Sequence, residues 1–304
     1  MYQDKVAHEL ANENFKKARL KDIFFKFFNI FTPENYRLLS FDEVRKLLKP
    51  ENTRYEGLKA VPVKLIIGSE GRYKDFNKAF LPRYDFLKSR WAGIDSAHLK
   101  DIILPPVKLY EIGGVYFVSD GNHRISVAKN EGREYIDAEI TSLKSKIKLR
   151  PGITTEEIKE EIIKYEKKEF FKNKDIREII DRDKVDFTVV GSYRETLEHI
   201  DVHKYFINLD KKEEISYSEA VRSWYNTLFM PIYNTILEEK LLQRFPGRTE
   251  ADLYVWIINH WGYLKKKYGP NFSLKKAAKD YSERFGKNFW EQLFGGLKKI
   301  FRIK

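Results

Sequence analysis

Val115-Tyr-Phe-Val-Ser-Asp-Gly-Asn-His-Arg-Ile-Ser-Val-Ala-Lys129 reads as a strand, a tight glycine turn and the start of a helix. Val115 to Val118 are β-branched or aromatic, Asp120-Gly121 is a turn signal, and Ile125, Val127 and Ala128 resume an apolar pattern compatible with a helix. A helix that begins at such a turn presents unpaired backbone N–H groups and a partial positive charge, which stabilise an anion before any side chain contributes. Asp120, Gly121, Asn122, His123 and Arg124 are therefore the candidate phosphate-binding residues. His123 and Arg124 add side-chain donors, and a guanidinium can grip a phosphate through two parallel hydrogen bonds. The Asp120 carboxylate can hold a divalent cation through its oxygens. The competing reading of Asp120-Gly121-Asn122 is a plain turn whose Asp or Asn caps the helix.

Before this stretch, Gly113-Gly114 joins Pro106-Val-Lys-Leu-Tyr-Glu-Ile112 to Val115, and two strands separated by Gly-Gly predict a hairpin. Val61-Pro-Val-Lys-Leu-Ile-Ile67 predicts an earlier strand. A helix from about 123 to 131 is followed by Tyr135-Ile-Asp-Ala-Glu-Ile140, a further strand. Residues 84–99 predict a helical segment that ends before Leu104-Pro105-Pro106. The chain is thus expected to be α/β, of the α+β kind: a small mixed-sheet domain at 58–150, an N-terminal helical segment at 1–57, and a mainly α-helical C-terminal domain at 151–304.

The order strand, loop, helix, Pro-Pro strand, Gly-Gly hairpin, Asp-Gly-x-His-Arg helix, strand resembles the ParB/sulfiredoxin fold over residues 58–147. In ParB-like proteins a Gly-x-x-Arg motif at this helix start binds nucleotide phosphates. Gly121 and Arg124 match it, with Val127-Ala128 where an alanine pair usually follows. Sulfiredoxins carry a catalytic cysteine beside His-Arg, whereas this chain has Asn122 there and no cysteine anywhere, which excludes their chemistry. The turn is most similar to that of the free serine kinases, which share Asp-Gly-x-His-Arg and a glutamate just after the first strand. Asp120, Gly121, His123 and Arg124 match the turn, and Glu70 in Ile67-Gly-Ser-Glu70-Gly matches the glutamate. The resemblance implies Glu70 as general base on a small hydroxyl substrate, Asp120 as a Mg²⁺ ligand, and ATP, ADP or CTP as the nucleotide. The implied activity is Mg-dependent nucleotide hydrolysis or phosphoryl transfer. Glu70 is otherwise a solvated loop carboxylate, and Arg72 and Arg90 are either further phosphate donors or partners of nearby acids. The C-terminal half resembles neither the remainder of the serine kinases nor the helix-turn-helix of partition proteins.

Composition bounds these readings. At 304 residues with 42% apolar content, 22 Phe, 18 Tyr and 5 Trp, the chain can bury a sizeable core. It shows no apolar run of membrane-span length and no apolar signal-peptide core, so the cytoplasm is the expected location. Two methionines and heavy Lys and Glu use lean towards a thermophile. The net charge of +12 favours anionic partners, and a non-enzymatic DNA-binding regulator is the alternative to the nucleotide enzyme. The charge is nonetheless diffuse, with Lys and Glu mixed along most segments.

Among the flanking segments, Phe15-Lys-Lys-Ala-Arg-Leu-Lys-Asp-Ile-Phe-Phe-Lys-Phe-Phe28 combines a basic and an aromatic face. It is expected to pack its Phe face on the neighbouring domain, with contact to membrane or nucleic acid as the other reading. Ser40 to Glu43, Thr154 to Glu157, Ser216 to Glu219 and Thr249 to Asp252 read as capping boxes or a close variant, and Pro231 should kink or split its helix. His199 and His203, four apart, are expected to be capping or core-edge residues rather than zinc ligands, since no third ligand stands out. His260 and the aromatics from Trp224 to Trp261 read as packing. Gly286-Lys-Asn-Phe-Trp290 has the form of a helix-turn-helix turn, and Leu297 to Lys304 form a small basic tail.

Overall fold

Six strands make one mixed sheet: β1 (Leu39–Ser40), β2 (Thr53–Pro62), β3 (Ile66–Ser69), β4 (Val107–Ile112), β5 (Val115–Asp120) and β6 (Tyr135–Leu143). Their order from edge to edge is β1-β3-β5-β4-β6-β2. β1, β3 and β5 run parallel, β4 is antiparallel to β5 and parallel to β6, and β2 is antiparallel to β6. The computed structural model describes residues 2–209, 211–269 and 271–286. The chain divides into two compact units, Met1–Glu161 and Ile162–Lys304, and is of the α+β class. Among the described residues, no helix is long and apolar enough to cross a membrane.

The first unit carries the sheet together with α1 (Tyr2–Phe28), α2 (Pro33–Tyr36), α3 (Phe41–Leu48), α4 (Lys88–Leu99) and α5 (Asn122–Asn130). Gly113 and Gly114, at φ +64° and +91°, form the two-residue turn between β4 and β5, a conformation that suits the twist of a hairpin and that only glycine adopts freely at both positions. Two expectations need correction. Val61 to Ile67 is not one strand: Pro62 lacks the N–H needed to continue the ladder, and a 3₁₀ turn at Val63–Leu65 separates β2 from β3. β2 itself begins at Thr53, in a charged edge strand whose first eight residues all reach the surface. That leaves no alternation to read, and charge is what protects a sheet edge from further pairing. Ser40 does open α3, yet its side chain makes no cap bond, because Ser40 also ends β1 in register with Ser69.

α1 packs on α4 through the small and aromatic positions Ala7, Ala11, Phe15 and Ala18, all buried, with Phe15 meeting Trp91 edge-on at 5.7 Å. Only this part of the expected aromatic face is covered, for Phe24, Phe27 and Phe28 are exposed. One turn beyond Ala18, Asp22 is also buried and joins several elements. It accepts hydrogen bonds from Tyr36 Oη (2.8 Å), Asn77 Nδ2 (2.9 Å) and Arg19 Nη1 (2.9 Å). Asn77 in turn accepts from the backbone N–H groups of Ala79 and Leu81 through Oδ1. This polar knot fixes the loop that leads from β3 to α4.

The second unit is helical: α6 (Thr155–Phe170) enters it, followed by α7 (Lys174–Ile179), α8 (Ser192–Asn208), α9 (Tyr217–Trp224), α10 (Met230–Glu238), α11 (Glu250–Tyr268) and α12 (Leu274–Phe285). The capping boxes at Thr154, Ser216 and Thr249 all form. Pro231, which cannot donate to the preceding turn, follows a π-turn at Tyr225–Phe229 that divides α9 from α10. Trp224 is buried as core and donates from Nε1 to Tyr254 Oη at 2.9 Å. His199 bonds the same hydroxyl at 3.1 Å, His203 bonds Ser223 Oγ at 3.0 Å, and His260 bonds Asp280 at 2.6 Å. Lys287 to Trp290 of the helix-turn-helix expectation, and the basic tail, lie outside the described residues.

Removing the Asp22 carboxylate would strand Tyr36, Asn77 and Arg19 without a common acceptor in a buried site. Asp22→Ala should lower the unfolding free energy by about 3 kcal/mol or more, measured by urea denaturation of the full chain.

Candidate functional site

At the end of β5 the chain must reverse into α5 within one residue. Gly121 does this at φ +102°, and a Cβ added there would lie 2.6 Å from Val107 Cγ1 of β4. Both the backbone conformation and the close approach exclude a side chain. α5 is then fixed from behind. Ser126 Oγ donates to Phe80 O at 2.6 Å and accepts from Trp91 Nε1 at 2.8 Å. Lys129 Nζ donates to Ile66 O at 2.7 Å and lies over the Phe80 ring, while burial pushes its amine down to about 8.

The N-terminus of α5 opens onto a cavity of about 540 Å³ lined by Ser119, Asp120, Gly121, Asn122, His123 and Arg124 from the turn, and by Gly71, Arg72, Asp75 and Arg90 opposite. Among the described residues no side chain caps α5, so the N–H groups of its first turn lack intrahelical partners. Arg90 comes from α4 and is exposed; among the described residues its guanidinium has no hydrogen-bond or ion-pair partner. Arg72 is paired with Asp75 at 2.9 Å but remains half exposed. His123 and Asn122 are buried, and among the described residues His123 Nδ1 and Asn122 Oδ1 have no hydrogen-bond partner. Burial first, and then the positive Arg90 and Arg72, push the His123 imidazole down to about 4, so it is neutral at pH 7. The cavity therefore combines a helix N-terminus, a neutral imidazole and the unpaired Arg90 with the ion pairs Arg72–Asp75 and Arg124–Asp120, an arrangement that can take a compact anion.

Arg124 lines the cavity with its guanidinium already engaged. Its Nη1 donates to Pro105 O and, at 3.0 Å, to Pro106 O, and its Nη2 meets Asp120 Oδ2 at 2.6 Å. It thus clamps the turn to the Pro-Pro segment and forms a wall shared with a second cavity, of about 370 Å³, beside Ile102, Ile103 and Tyr135. Glu70 does not line the first cavity. Its Oε2 accepts from Ser119 Oγ at 2.9 Å, and Ser119 does line it. Of the carboxylates lining the cavity, Asp75 is paired with Arg72, and Asp120 is 59% exposed with its Oδ2 on Arg124 Nη2. Among the described residues no three His, Cys, Asp or Glu side chains converge.

The structure thus brings Asp120, Gly121, Asn122, His123 and Arg124 to one cavity wall, with Glu70 one hydrogen bond behind it. Arg90 and Arg72 supply the facing charge. Comparison with family models, curated proteins and solved structures finds no match to this chain.

His123 gives this site a pH signature. Between its folded value of about 4 and the ordinary 6.5, the unfolded chain binds the proton and the folded chain does not, so stability falls as pH drops through that window. His123→Gln should remove this part of the loss, on the order of 3 kcal/mol when complete. Urea denaturation of both proteins from pH 7 to 4 should show the variant gaining relative to wild type.

Proposed function

We propose that this protein binds a nucleotide with its phosphates at the start of α5, through a ParB/sulfiredoxin-like module, and uses the site for Mg-dependent nucleotide hydrolysis or phosphoryl transfer to a small hydroxyl acceptor. The observation that carries this reading is the convergence of Arg90, Arg72 and the free N–H groups of α5 on one cavity whose histidine is kept neutral. Phosphoryl transfer demands mainly positioning and charge neutralisation, and these groups supply both. The α5 amides and the two guanidiniums hold phosphate oxygens. His123, neutral, donates or accepts a single hydrogen bond, and Asn122 offers an acceptor to a ligand hydroxyl or N–H. Asp120 takes the Mg²⁺, which when bound offsets phosphate charge. Glu70 is the general base that the resemblance implies, and since it lies behind the cavity wall it would reach the acceptor's proton through Ser119 Oγ, which lines the cavity and donates to it.

Calorimetric titration with ATP, ADP and CTP, with and without Mg²⁺, tests the reading. Micromolar binding is expected, weakened about tenfold or more by Arg90→Ala, which loses a charge-assisted contact. Glu70→Gln should leave that binding intact while lowering turnover by about 10² to 10⁴-fold. Absence of binding by all three nucleotides contradicts the proposal. Salt-sensitive binding of duplex DNA in its place supports the DNA-binding alternative.

A further inference from the structure

α1 carries two apolar stripes on opposite sides. One, through Ala7, Ala11, Phe15 and Ala18, is buried. At about 100° per residue, Leu20, Phe24 and Phe27 lie nearly diametrically opposite this stripe. These three are 55%, 63% and 70% exposed, and Phe28 and Phe31 beside the helix end reach 78% and 90%. So contiguous an aromatic surface in water marks an interaction face rather than the scattered exposure usual for a protein exterior.

The charge around it says what the face meets. Between Asn14 and Pro33 the only acid is Asp22, and Asp22 is buried under Tyr36, Asn77 and Arg19 on the opposite side. The exposed charges in this interval are all positive, Lys16, Lys17, Lys26 and Lys21, the last of which donates to Asn130 Oδ1, while the exposed acids on this side of the helix, Glu9 and Glu13, lie nearer its start, away from the phenylalanines. Lys16 and Lys17 stand four and three residues before Leu20, hence on the same side of the helix. Lysine stems of this kind lie along an apolar surface and carry the ammonium out to an anionic layer. A second copy of the chain docked face to face would bring these lysines against their own equivalents. A nucleic acid backbone would satisfy the lysines and leave the phenylalanines without apolar cover.

We propose that the exposed face of α1 docks on an anionic lipid surface, lying in the headgroup plane with Phe24, Phe27, Phe28 and Phe31 inserted and the lysines on phosphate headgroups. This is the geometry of an amphipathic helix that lies on a bilayer without crossing it, and such binding rests on apolar burial and electrostatic attraction together. It holds the protein at a membrane whatever the cavity beside α5 binds, because none of these residues lines that cavity.

The test is flotation of the full chain with vesicles of phosphatidylcholine, with and without phosphatidylserine. The expected result is binding to the anionic vesicles that decreases as salt is raised and is at least about tenfold weaker for the double variant Phe27→Ser, Phe28→Ser. Both positions are exposed, and an unchanged circular-dichroism melting curve confirms that the variant is folded. Lys16→Gln with Lys17→Gln should weaken binding to anionic vesicles and lessen its salt dependence. Equal binding to neutral and anionic vesicles, no flotation, or full binding by the Phe variant overturns the proposal. Sedimentation showing a dimer that the Phe variant dissolves also overturns it, in favour of a second copy on this face.

Discussion

Everything proposed for the cavity depends on a turn that admits no side chain. Gly121 takes β5 into α5 at φ +102° with Val107 pressed against the place where a Cβ would be. The sharpness of that reversal puts the first amides of α5 at the end of a central strand rather than out along a loop. The Arg124 bonds to Pro105, Pro106 and Asp120 close the turn from the other side. An arginine occupied in this way is a brace, which leaves Arg90 and Arg72 as the cations that face the open space.

The cavity is electrostatically incomplete by itself. Burial first, and then the guanidiniums of Arg90 and Arg72, keep His123 neutral against the opposing pull of Asp75. The rigidity this requires comes from some distance away: Asp22 on α1 holds Asn77, and Asn77 holds the backbone of the loop beyond Arg72 and Asp75. Loss of a distant carboxylate would therefore act on both stability and site geometry.

What was legible in the sequence follows from whether the signal is local. The Gly-Gly hairpin, the Asp-Gly turn, the following helix and the capping boxes at Thr154, Ser216 and Thr249 declare themselves within a few residues and are present, whereas Ser40 has the pattern of a box without forming one. β2 was not legible, because an edge strand built of Thr, Arg, Tyr, Glu and Lys has no buried face to impose alternation. Asp22 reads as an ordinary acid on an amphipathic helix, and only the fold brings Tyr36 and Asn77 to it. Arg72 and Arg90 were candidates, but phosphate donor and salt-bridge partner could not be separated without seeing that Arg72 has Asp75 while Arg90 faces the cavity. In α1, helical periodicity reveals two apolar stripes, and sequence alone cannot say which of them the protein covers.

The central claim, that an anion belongs at the start of α5, is tested most directly by nuclear magnetic resonance of the full chain titrated with inorganic pyrophosphate. The account predicts the largest shifts at the amides of Asn122, His123 and Arg124, together with a rise in the His123 titration midpoint from its value of about 4 as the charge of Arg90 and Arg72 is offset. Saturating shifts confined to other parts of the surface, with the His123 midpoint unmoved, would contradict it.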